Sequence, residues 1–185
     1  MDRKLQGLKW KPFEDISTGN FFDLSHLHPH IMDCDIPGSN NSQPLHLKVL
    51  VSYSIHCFTR RAYRNEQIDT DSLYSDSRES RIFCVERWEF SKCLPGIIET
   101  LHKRRCCHTD GEEFVTLKLE HDGKEIEYAV FFTVTKNKKS PFADLNLFVN
   151  TAHKRTKPLR HTKPIKFHVI LAKRYRCLSI RTPNQ

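Results

Sequence analysis

The feature that most constrains the fold is a run of two-residue alternation in the second half of the chain. Phe114 to Glu120 alternates apolar with polar residues and ends at His121-Asp122-Gly123-Lys124. Ile126, Tyr128, Val130, Phe132 and Val134 then line one face of the next segment. Asp-Gly between two such runs predicts a tight hairpin. Ala129 and Phe131 make the second face apolar as well, as in a central strand. Asn137-Lys138-Lys139-Ser140-Pro141 reads as a turn, after which Leu145, Leu147 and Val149 continue the pattern. Links this short predict antiparallel pairing.

The remaining segments are placed around this core. Leu45, Leu47, Val49, Val51, Tyr53 and Ile55 share a face and predict a strand over Leu45 to Phe58. Phe90, Cys93, Leu94, Ile97, Ile98 and Leu101 follow the helical period instead. Pro95-Gly96 lies inside that stripe and either starts the helix or kinks it. Ile165, Phe167, Val169 and Leu171 predict a last strand, with Lys166 and His168 opposite. Residues 1–44, with Pro12, Pro29, Pro37 and Pro44, read as an irregular lead-in packed on the domain through Phe21, Phe22, Leu24 and Leu27. Arg60 to Ser80 reads as a polar surface loop. The expectation is α+β: a lead-in, then one domain over residues 45–185 with one amphipathic helix on a mostly antiparallel sheet of about five strands.

Charge narrows the function. The 185 residues carry 30 Lys+Arg against 22 Asp+Glu, a formal +8. From Leu145 onward there are ten basic residues and no acid, so the whole excess lies in the last quarter. An extended polyanion, RNA first, is therefore the expected partner rather than a membrane surface or a small acidic metabolite. No apolar run approaches the roughly 20 residues of a membrane helix, and the first residues, Met1 to Gly7, show no signal-peptide apolar stretch. The seven cysteines, an odd count, then read as reduced thiols of a cytoplasmic protein.

Chemistry-bearing residues cluster at strand ends. His56, Cys57, Arg60 and Arg61 follow the first strand: a His beside cations can be held neutral as a base, and the thiol could be a low-pKa nucleophile. Arg87 enters the helix, where a guanidinium can meet phosphate. Thr151, His153, Lys154 and Arg155 close a strand and open a basic loop; a hydroxyl, an imidazole and two cations suit phosphodiester chemistry. Lys157, Arg160, Lys163 and Lys166 extend that basic stretch as nucleic-acid contacts. His26-Leu27-His28-Pro29-His30 with Cys34 lacks the paired spacing of a zinc site and reads as a surface loop. No metal or cofactor is expected.

The order of these pieces resembles the superfamily of small metal-independent RNases that spans barnase, EndoU, the colicin tRNases and RelE-like toxins. Leu147-Phe148-Val149-Asn150-Thr151-Ala152-His153 is similar to its closing hydrophobic-strand, Thr-Ala-Tyr motif, with His153 where Tyr is common. The whole chain also resembles a bacterial family carrying stress or stationary-phase labels, which imply no mechanism. The RNase resemblance implies an endoribonuclease of toxin or defence type in which the RNA's 2′-OH attacks the adjacent phosphate. His56 and His153 would be base and acid, Arg60, Arg87 and Lys154 or Arg155 would hold the phosphate, and Thr151 would orient it. An antitoxin or another acidic protein would then be a second partner. The alternatives are a non-catalytic nucleic-acid-binding module, ribosome-associated for instance, and an adaptor for an acidic protein.

Overall fold

The structure is a computed structural model that describes residues 9–38, 43–108, 113–121, 123–138, 141–155 and 164–180. In chain order the elements are β1 (Phe13–Asp15), β2 (Asn20–Phe22), β3 (His30–Ile36), β4 (Leu45–Tyr53), β5 (Thr59–Arg60), β6 (Leu73–Ser75) and β7 (Ser80–Phe83). Next come α1 (Val85–Ser91), α2 (Leu94–Glu99), β8 (Arg105–His108), β9 (Glu113–His121), β10 (Lys124–Lys136), β11 (Leu145–Arg155), β12 (Ile165–Lys166) and α3 (Phe167–Tyr175). The main sheet runs β12-β8-β9-β10-β11-β4-β3. Every neighbouring pair in it is antiparallel except β11 and β4, which run parallel. The α+β class and the mostly antiparallel sheet are thus as the alternation predicts, and the long strands are β3, β4, β9, β10 and β11.

The hairpin forms where Asp-Gly predicts it. His121 pairs with Lys124, and Gly123 takes a φ of +69°, the left-handed backbone that glycine adopts without penalty. Tyr128, Val130, Phe132 and Val134 are buried. The helices cover that face: Phe90 of α1 stacks on Tyr128 at 5.4 Å, and Phe167 of α3 meets Phe132 edge-on at 6.2 Å. Phe131 and Thr133, on the opposite face of β10, are only half-buried.

Several expectations are corrected. The predicted last strand is two residues of strand followed by α3. Its residues satisfy both periods, but Phe167, Ile170 and Leu171 are the buried set, the i, i+3, i+4 face of a helix. The helical stripe near Phe90 is a bent pair rather than one helix; Pro95 sits in the first turn of α2 and α1 ends before it. The lead-in is not irregular, since β3 pairs along its whole length with β4, from His30 opposite Val51 to Ile36 opposite Leu45. The supposed loop over residues 60–80 contains β6 and parts of the small β5-β7-β6 sheet. That sheet is held by aromatic packing: Phe13 stacks on Phe83 at 4.1 Å, and Trp10 and Tyr74 both meet Phe58 edge-on.

One irregularity decides which side chains reach the site. In the β10–β11 ladder Phe131 is opposite Thr151 but Phe132 is opposite Val149, so Asn150 is an extra, bulged residue. Its Nδ2 donates to Thr133 Oγ1 at 2.7 Å. Before the bulge, Leu145, Leu147 and Val149 are buried; after it, Ala152 is. Unbroken alternation would send His153 into the core. The bulge turns it to the opposite face and turns Lys154 toward the helix side.

Candidate functional site

β4 ends at Tyr53, opposite Val149, so β11 loses its parallel neighbour at the bulge. The chain leaving β4 turns through a 3-10 segment, Ile55–Cys57, into β5. Beside this free edge lies a cleft of about 360 Å³ lined by Arg60, Arg61, Ala62, Tyr63, Cys84, Glu86, Arg87, Phe90, Tyr128, His153 and Lys154. Of the catalytic residues expected from sequence, Arg60, Arg87 and His153 line it, and Lys154 joins them.

Their bonding differs from one to the next. Arg60 is clamped on Glu66: Nη1 donates to Oε2 at 2.7 Å and Nη2 to Oε1 at 2.5 Å. Its guanidinium also lies 4.7 Å from the centre of the Tyr63 ring. The clamp holds the Glu66 carboxyl down at about 2, far below its ordinary range, and Arg60 is largely neutralised by it. Arg87 Nη1 donates to the carbonyls of His56 and Thr59, both at 2.9 Å. Those acceptors are neutral, so the bonding fixes α1 to the 3-10 turn without cancelling the Arg87 charge. Lys154 Nζ stands 3.6 Å from Glu86 Oε1 with both side chains well exposed, a pair that water weakens. Arg61 is exposed. The cleft therefore carries more positive than negative charge.

His153 is half-buried, with its ring parallel to that of Phe131 at 5.7 Å. Its Nδ1 is buried and has no hydrogen-bond partner among the described residues. Burial, then the charges of Arg87 and Arg155, push its pKa below the ordinary histidine value. The ring is thus neutral at physiological pH, with an unsatisfied nitrogen.

The other expected residues lie elsewhere. His56 is in the 3-10 turn rather than on a strand, and its Nε2 is 2.7 Å from Glu79 Oε1, away from the cleft that its own carbonyl helps to brace. The two histidines expected as acid and base do not face each other across this cleft. Thr151 does not line it; it is half-buried on the same strand face as His153, opposite Phe131. Arg155 lies opposite Glu127 in the ladder, and the exposed Lys166 pairs in register with Arg105 on β12–β8. Lys157, Arg160 and Lys163 lie outside the described residues. Cys57 is not a nucleophile candidate: it is fully buried, and desolvation pushes its thiol up to about 12. The histidine-rich stretch is built in rather than loose, with His26 Nε2 2.7 Å from Ser91 Oγ and His28 Nε2 3.1 Å from the Trp10 carbonyl.

Sequence reasoning missed Tyr63, Tyr128 and Glu66. Tyr128 reads as core from its alternation and is core, but it is also the cleft floor. The Arg60–Glu66 clamp closes a six-residue excursion without a period, so no pattern announces it.

Three comparisons bear on what the chain is. A curated relative, Protein YjaZ of Escherichia coli (strain K12), is 28% identical over 165 residues, covering 88% of each chain. No solved structure matches. The family model for the YjaZ family matches residues 12–175, which takes in every strand and helix of the fold, and the chain belongs to that family.

Proposed function

We propose that the protein binds RNA, with backbone phosphate held in the cleft beside the free edge of β11. The observation that carries this reading is the convergence of Arg61, Arg87 and Lys154 with the 71%-exposed Tyr63 ring on one concave surface. Cations neutralise phosphate and an exposed aromatic ring can stack on a base. The test is RNA binding as a function of salt. Each single-strand phosphate contact contributes about 0.7 to the slope of log affinity against log salt, so Arg61→Ala with Lys154→Ala lowers the slope by about 1.4. An unchanged slope refutes the cleft as the phosphate site. Binding that survives nuclease treatment and follows an acidic protein instead would favour the adaptor reading.

Cleavage is a second reading, favoured by one observation: a neutral, half-buried imidazole lining the same cleft. His153 would take the proton of the attacking 2′-OH as its oxygen bonds to phosphorus and the P–O5′ bond breaks, the 5′-oxygen leaving with a proton from water, and Arg87 would stabilise charge on the phosphate. Among the described residues no second histidine lines the cleft, so the acid and base would not be the two histidines expected from sequence. RNA incubated with excess protein and EDTA decides it. Intact RNA, or cleavage undiminished in His153→Ala, leaves binding alone.

A further inference from the structure

We propose that the RNA bound is single-stranded and runs along the helix-free face of β10 and β11, from the cleft to a second one beside Phe148, where β4 ends against β11. This rests on the cleft binding phosphate, as under the proposed function.

The second cleft, of about 490 Å³, is formed where the segment before β1 meets the ends of β4 and β6. Exposed Lys9 and Lys11 supply charge there, and the half-buried rings of Trp10 and Phe148 supply apolar surface. Asp76 also lines it, but accepts from the backbone N–H groups of Arg78 and Glu79 at 2.8 and 2.9 Å and from Arg78 Nη2 at 3.1 Å. Its charge is thereby largely offset by Arg78. The balance is cationic at both ends.

Between the clefts the bulge sets the surface. Phe148 is opposite Thr133, and Thr151 is opposite Phe131, whose ring stacks on His153. All five are half-buried and share the face away from α1 and α3. Phe148 and His153 lie opposite Thr133 and Ala129, four residues apart on β10, so they are separated by about 13 Å along the sheet. The result is a strip of rings and hydroxyls with cations at both ends. A duplex keeps its bases stacked inside and offers such a strip only its backbone, whereas a single strand can lay bases on the rings. Charge complementarity at two separated ends, with rings between, selects a single strand spanning several nucleotides.

The test uses the full chain and three labelled probes: an oligouridylate of about 12 nucleotides, one of about 4, and a duplex of the longer length. Phe148→Ala is expected to weaken binding of the long single strand by roughly 5- to 150-fold. Lys9→Glu with Lys11→Glu, exposed changes that leave the core untouched, should weaken the same probe while leaving the short one unchanged. Arg61→Ala with Lys154→Ala should weaken all probes that bind. If the duplex binds as tightly as the long single strand, or if both second-cleft variants bind like wild type while the Arg61/Lys154 variant is impaired, the strip is wrong and the cleft stands. If wild type binds none of the three, the cleft reading falls, and the strip with it.

Discussion

Glu113 has no exposed surface, yet it is a carboxylate at the start of β9. One side chain offsets its burial: Arg174 Nη2 donates to its Oε1 at 3.0 Å, while His108 Nδ1 lies 3.4 Å from the same oxygen without hydrogen bonding to it. Its Oε2 and the Arg174 Nε have no hydrogen-bond partner among the described residues. A buried carboxylate that loses its cation costs far more than the pair contributes. Arg174→Met should therefore destabilise by about 2–4 kcal/mol, toward the low side because the Arg174 side chain is 27% exposed. Arg174→Met with Glu113→Leu should recover most of that loss. Urea denaturation of the two variants and of Lys173→Met checks it. If Arg174→Met costs no more than Lys173→Met, the pair is not holding α3. The same contact shows that one of the ten C-terminal cations faces inward rather than toward a ligand.

At the scale of elements, α3 is where two sequence patterns compete. As a strand, Ile165, Phe167, Val169 and Leu171 would form the core face; as the helix observed, Ile170 is fully buried and Val169 only half-buried. Ile170→Ala should thus cost about 2–5 kcal/mol and Val169→Ala much less, an order that a strand would reverse and that thermal unfolding of the two variants reads directly. The contrast explains what was legible. The hairpin, β4 and β11 were readable because alternation and Asp-Gly are local signals. The end of β12 was not, because a short apolar run fits either period and only packing on β10 selects one. β3 was hidden by its prolines at either side, although Ile31 to Ile36 pairs fully with β4. The site was half legible for the same reason. Arg87 and His153 could be picked by residue type, but the inserted Asn150 inverts the face of everything after it, and a one-residue register change leaves no mark in composition.

Over the whole molecule, the formal +8 is divided rather than gathered on one surface. Arg174 neutralises Glu113, Lys136 covers the Tyr175 ring at 3.4 Å, and Lys154 faces the cleft. Among the described residues no helix is long and apolar enough to cross a membrane. Stability and RNA affinity should then depend on pH with opposite signs. His153 and His26 both have pKa values depressed chiefly by burial. An unfolded histidine near 6.5 then binds a proton that these two resist when folded, so their contribution is full above about 6.5 and falls as pH drops toward the folded values; His46, raised by Asp35 and Asp33, acts the other way but through an exposed pair that water weakens. Glu66, held at about 2, adds a further loss as pH falls below the ordinary glutamate value toward 2. RNA affinity should move the other way in the first window, because phosphate in the cleft favours the protonated His153 that the apo fold disfavours. Between pH 7.5 and 5.5, wild type should lose urea resistance yet bind single-stranded RNA more tightly, while His153→Gln keeps the His26 share of the stability loss and binds with little pH dependence. Equal pH dependence of binding in wild type and His153→Gln would place the phosphate away from His153 and remove this side chain from the site.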